Sequence, residues 1–187
     1  MSTTGKVSIS EFEKVLDSGE LKTTQIIIAA LGIGVFLFGM ITLVIYELQE
    51  ITNVDQDTDI IQILTIANFL IFLITFTISR YVFESFFTKN FLSKYYDKEN
   101  DAINAGTAKY WINKLRTAEI IRSALREASA LMGLVVCIYS IQTEVIFSNA
   151  EYWINCIPAV LFIGHIIINF PTKEKYINFY QNKILNN

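Results

Sequence analysis

Four ionisable side chains sit inside or against long apolar runs of this sequence: Arg80, Arg126, Glu127 and His165. Charge in hydrocarbon is costly, so ionisable residues in a membrane span usually face a bundle interior and mark proton or ion pathways. Glu127 and His165 suggest the sharpest chemistry, because a carboxylate and an imidazole at one depth can share a proton. Counted from the polar end of each run, Glu127 lies ~21 Å and His165 ~20 Å down its helix at about 1.5 Å per residue. A short connection joins their two runs, which makes them neighbours. Thr75, Thr77 and Ser79 fall at a similar depth in another run and extend the candidate cluster. The commoner arrangement for these residue types is plainer. It sets Glu127 in the headgroup zone beside Arg126, paired with Arg80 or a lysine, and bonds His165 to a backbone carbonyl. Arg80 and Glu84 stand at i, i+4 spacing, which suits an anchoring ion pair at the membrane face. Across the bundle Arg80 has Glu127, and Glu84 has Arg122 or Arg126, as an alternative partner.

Other chemistries find few footholds. Asp55, Asp57 and Asp59 alternate as in the first half of a calcium loop, but Ile60 and Ile66 replace its glycine and its bidentate glutamate. A solvated acidic loop is expected there. One histidine and two separated cysteines cannot build a standard zinc site. On a simple depth count Cys137 lies nearer mid-membrane than Cys156, which argues against a disulfide. The sequence holds no Gly-x-Ser-x-Gly, no Cys-x-x-Cys and no phosphate-binding glycine loop. The expectation is a protein that is not an enzyme, with no metal and no cofactor.

The elements that must position these residues are written in apolar blocks. Of 187 residues 52% are hydrophobic and 18% charged, with a mean hydropathy of +0.41. A soluble domain is about a quarter charged. This balance excludes a disordered chain, a nucleic-acid binder led by basic charge and a disulfide-stapled secreted module. Crossing about 30 Å of hydrocarbon takes about 20 mostly apolar residues, and four stretches qualify: 25–46, 60–79, 122–142 and 152–170. The third is cleanly apolar only over 128–141, so it spans by drawing Arg122, Arg126 and Glu127 into or just below one leaflet, or by local bilayer thinning. Asn68 and Asn155 are placed to hydrogen-bond between helices, and Gly32, Gly34, Gly133 and Gly164 to let helices approach closely.

Lysine and arginine sort completely: three precede the first span, nine lie between the second span and the clean apolar part of the third, and three follow the fourth. The loops 47–59 and 142–151 hold only acidic charge. The positive-inside rule therefore puts both termini and the 80–121 connection in the cytoplasm. Within the N-terminal segment, 1–23, Ser10 to Glu13 reads as a capping box opening a short helix. Its apolar side, Phe12, Val15 and Leu16, is expected to rest on the membrane surface. The connection is expected to be mostly helical, prolonging the second span through its aromatic residues and leading without a break into the third. Residues 171–187 form a cytoplasmic tail. No cleavable signal is expected, and the many Ile, Asn, Lys, Phe and Tyr residues typical of an AT-rich genome, with no glycosylation sequon, point to a bacterial inner membrane.

Arg116-Thr117-Ala118, Ile120-Ile121-Arg122, Ala124-Leu125 and Glu127 through Leu134 resemble the third span of a family of small four-helix bacterial membrane proteins of unassigned function. Phe170 to Lys175 and the opening of the first span, Gln25-Ile26-Ile27 with Gly34 to Leu37, are similar to the same group. The resemblance implies the architecture and lends weight to Glu127, although Ala128 and Arg126 depart from the pattern; it implies no activity. Glu127 to Val136 also resembles the ion-carrying helix of rotary ATPase ring subunits. Arg122 and Arg126 lie too close for that role, so the likeness is convergence on one helix.

The fold expected is an all-α membrane protein, an antiparallel bundle of four transmembrane helices with a helical cytoplasmic connection. Its partners are expected to be the lipid bilayer and either further copies or a larger membrane complex, with no nucleic acid. Two functions stay open: a structural or accessory component of a membrane assembly, or a small proton- or ion-coupled transporter or channel subunit using Glu127 and His165.

Overall fold

The computed structural model describes residues 7–52, 58–87 and 108–185. Asp55 and Asp57 of the acidic loop and residues 88–107 of the 80–121 connection lie outside them. The helices in chain order are α1 (Ile9–Val15), α2 (Leu21–Leu48), α3 (Thr58–Ser85), α4 (Ala108–Gln142), α5 (Val145–Ser148), α6 (Ile157–Asn169) and α7 (Lys173–Tyr180). A 3-10 segment, Ala150–Cys156, leads into α6, a kinked turn, Leu16–Glu20, follows α1, and a π-helical turn, Gln181–Leu185, follows α7. Four helices are long and apolar enough to cross a membrane: α2, α3, α4, and α6 with its 3-10 lead-in. The chain is a multi-pass membrane protein. All four membrane helices overlap the expected spans, and α4 runs unbroken from Ala108, as the sequence indicates.

The chain forms two compact units, Met1–Ile28 with Arg80–Arg122 and Phe170–Asn187, and Ala29–Ser79 with Ser123–Asn169. The first has a core of Val7, Phe12, Leu16, Ala108, Ile112, Leu115, Tyr176 and Tyr180. Phe12 stacks on Tyr180 with ring centroids 4.2 Å apart, and the Tyr180 hydroxyl donates to the Val7 carbonyl at 3.0 Å. The apolar side of α1 is thus covered by protein and not, as its amphipathic pattern suggests, by the membrane surface. The cap is Ser8, whose Oγ accepts from the Glu11 amide at 3.3 Å. The cap therefore falls two residues before the expected Ser10, and the Glu13 carboxylate meets Lys173 at 2.7 Å. Gly19, at φ 105°, takes the left-handed backbone that ends this short helix before α2 begins. Residues 173–180, expected as tail, form a helix capped by Thr172, which accepts from the Lys175 amide at 3.4 Å.

The second unit is apolar on its outside. Ile33, Phe36, Leu37, Ile41 and Val44 of α2 and Ile63, Ile66, Leu70 and Leu73 of α3 are exposed. A contiguous surface of that kind belongs in lipid. In the most apolar window of each helix, 44% of α4 is buried inside the protein against 17% of α2 and 11% of α3. The protein interior is thus built chiefly around α4. Gly133 explains one close approach: a Cβ there would collide with the Asn155 carbonyl oxygen, so only glycine admits that backbone. Beside it Asn68 Nδ2 donates to Asn155 Oδ1 at 3.0 Å, and Asn155 Nδ2 donates to Thr65 Oγ1 at 2.9 Å. The depth argument against the cysteines fails. Cys137 and Cys156 face each other with Sγ atoms 3.2 Å apart, both as free thiols. Counted on the scale used for Glu127 and His165, each cysteine lies about four residues inside the outer end of its run, so depth does not separate them.

Candidate functional site

The polar cluster in the membrane-embedded unit is built on Arg126. Its Nε donates to Ser79 Oγ at 2.9 Å, its Nη1 lies 2.7 Å from His165 Nε2, and its guanidinium carbon sits 4.8 Å from the centroid of the Phe76 ring. An arginine side chain has only donors, so Nε2 must accept and His165 is neutral with its proton on Nδ1. The Asn169 amide lies 2.8 Å from that Nδ1. Its Nδ2 also donates to the His165 carbonyl oxygen at 3.1 Å.

Of the residues singled out from the sequence, the structure brings together Arg126, His165 and Ser79. Glu127 is half-buried on the neighbouring face of α4 and makes no hydrogen bond or ion pair among the described residues. Its Oε1 lies 3.8 Å from where a Cβ on Gly34 would stand. His165 bonds Arg126 and not Glu127. Thr75 and Thr77 turn back to the carbonyls of Ile71 and Leu73, each at 2.8 Å, and stay outside the cluster. Arg80 pairs with Glu84 at 3.3 Å, with side chains 77% and 60% exposed, a pair that contributes ~0–1 kcal/mol.

The reason Arg126 and not Glu127 meets His165 is helical phase. Arg126, Gly133 and Cys137 recur at spacings of seven and four and meet His165, Asn155 and Cys156 respectively. Glu127 is rotated about 100° from Arg126 and so misses that seam. Next to the arginine, a cleft of about 20 Å³ is lined by Phe72, Phe76, Ser129 and Phe162 together with Arg126 and His165. That is room for about one water. Chemically the cluster holds a fixed positive charge on neutral acceptors and an aromatic face. A guanidinium stays protonated and does not pass protons on.

A second polar group, in the first unit, was not evident from the sequence. Arg116 meets Glu20 at 2.9 Å, and Arg122 meets Glu119 at 2.5 Å while stacking over Phe83 with its guanidinium carbon 4.3 Å from the ring centroid. Tyr176 is buried among them. Burial, with the Glu119 carboxylate adding to it, holds that hydroxyl well above the ordinary tyrosine range. At the surface of the same unit Lys173 lies between Glu13 and Asp17, whose carboxylates raise its ammonium above the usual lysine value. Glu144 is also new: buried, at φ 60°, it accepts from the Thr52 amide at 2.9 Å and from the Thr52 hydroxyl at 2.5 Å.

No protein-family model matches the sequence, and searches of curated proteins and of solved structures give no match.

Proposed function

We propose that this chain is a structural or accessory component of a membrane assembly: an antiparallel four-helix anchor in a bacterial inner membrane, with both termini and the 80–121 connection in the cytoplasm. The observation that carries it is the engagement of His165 by Arg126. A proton-coupled device on Glu127 and His165 needs the carboxylate and the imidazole to share a proton. Here the imidazole is spent on a group that cannot take part. Asn68, Asn155 and Thr65 tie embedded helices to one another. The order of contacts along the third and fourth spans, Arg126 with His165 and Cys137 with Cys156, favours antiparallel neighbours. The complete sorting of lysine and arginine to one side favours the orientation.

The competing function, a small ion-coupled transporter or channel subunit, keeps one specific support: the Glu127 carboxylate, half-buried and unbonded beside Gly34. Two measurements separate the functions. Purification of the full chain in mild detergent should recover a stoichiometric membrane-protein partner or a defined homo-oligomer. Proteoliposomes of the wild type should show no proton or cation flux beyond empty vesicles. Flux that disappears in Glu127→Gln and His165→Ala, with folding intact, would make the transport function the correct one.

A further inference from the structure

The sequence places two cysteines nineteen positions apart with no motif around them, and the fold makes them a pair. Their Sγ atoms are 3.2 Å apart, closer than two thiols need to be merely to pack. The approach is not accidental to one rotamer. One turn before Cys137, Gly133 lets α4 touch the Asn155 carbonyl, and Asn155 is the residue directly before Cys156. The buried amide pair Asn68–Asn155 pins that same backbone. Cys137 also points its thiol at the Tyr152 carbonyl, 3.9 Å away. The two residues differ in access: Cys137 is buried, whereas Cys156 is half-buried on a segment whose neighbours Ile154 and Ile157 are exposed.

We propose that Cys137 and Cys156 form a dithiol modification site that closes into an intramolecular disulfide by exchange with a lipid-soluble disulfide oxidant. Cys156, the accessible member, attacks as thiolate one sulfur of the oxidant. The oxidant's sulfur–sulfur bond breaks, one of its sulfurs leaves as thiolate, and a mixed disulfide remains on Cys156. Cys137 then attacks the Cys156 sulfur, forming the intramolecular bond and expelling the second oxidant sulfur. The two cysteine protons end on the two oxidant thiols, and the two electrons lost by the cysteines reduce the oxidant. The product staples the third membrane helix to the lead-in of the fourth. The proposal does not depend on the accessory function.

The test uses membranes containing the full chain, treated with 4,4′-dithiodipyridine, quenched with N-ethylmaleimide and analysed by intact mass. The wild type should lose both alkylatable thiols and two hydrogens, and dithiothreitol should restore both. Cys137→Ser should trap a thiopyridyl group on Cys156, and Cys156→Ser should leave Cys137 unmodified. Two alkylated thiols in the treated wild type would overturn the proposal, as would stable pyridyl adducts on it or a disulfide-linked dimer. The wild-type measurement needs no substitution, so it decides even where a variant does not fold.

Discussion

In the unit that holds α1, α7 and the start of α4, carboxylates meet cations directly: Glu13 and Asp17 with Lys173, Glu20 with Arg116, Glu84 with Arg80, Glu119 with Arg122. In the embedded unit, Arg126 leans on a hydroxyl, an imidazole and a ring, and amides answer amides. The difference follows from solvent. Ion pairs are cheap to form where water shields both partners, as at Arg80–Glu84 and around Lys173, and contribute little there, whereas Arg116–Glu20 and Arg122–Glu119 are largely buried. In hydrocarbon a polar group needs a partner whatever its charge, and neutral acceptors hold a cation without bringing a second buried charge. The first unit is held by its aromatic core, the second by backbone approach and hydrogen-bonded amides.

That contrast can be broken in order of effect. Phe12→Ala removes the ring stacked on Tyr180 and should cost ~3–5 kcal/mol. Limited proteolysis in detergent should open residues 7–28 and 170–185 while 123–169 stay protected; equal loss in both would erase the distinction. Gly133→Val forces a side chain into the Asn155 carbonyl and should cost ~1–3 kcal/mol, lowering the thermal midpoint. Gly39→Ala, with open space around it, should leave that midpoint unchanged. Asn155→Ala strands Asn68 and Thr65, and interhelical bonds of this kind are worth ~0.6–1.7 kcal/mol; a larger loss would mean the network acts as more than its pairs.

The alkaline limb is a finer probe. Tyr176 and Lys173 both have folded values raised above the unfolded ones, so each stabilises the fold fully below its unfolded pKa, near 10. That contribution is lost as pH rises through the folded value. Unfolding monitored at rising pH should show the first unit loosening above about pH 10. Tyr176→Phe should flatten the tyrosine part of that dependence and Lys173→Met the lysine part. At the small end, Glu84→Gln at the exposed Arg80 pair should change stability by ~0–1 kcal/mol.

The membrane helices were legible because apolar runs of spanning length have few alternatives, and Asn68 with Asn155 because an embedded amide must find a partner. The site was only half legible. Sequence puts Arg126 and Glu127 at one depth, but adjacent helical positions point about 100° apart, and which of them faces His165 depends on the phase set by Gly133 and Cys137. The thiol pair was hidden because no motif surrounds either cysteine and depth alone does not say which helix faces meet. The tail's helix was hidden because Lys173–Tyr180 is polar outside and contributes just Tyr176 and Tyr180 to the core.

Glu144 bears on how this protein can be studied. Its carboxylate holds the Thr52 backbone and hydroxyl across a sequence gap of ninety-two residues, from a left-handed backbone position that glycine would occupy with less strain. The short connection after the third membrane helix is therefore a latch. A reporter tag or a protease site inserted between Thr143 and Val145 would release the 49–52 segment along with the hairpin. Topology mapping of that face should place its insertions elsewhere.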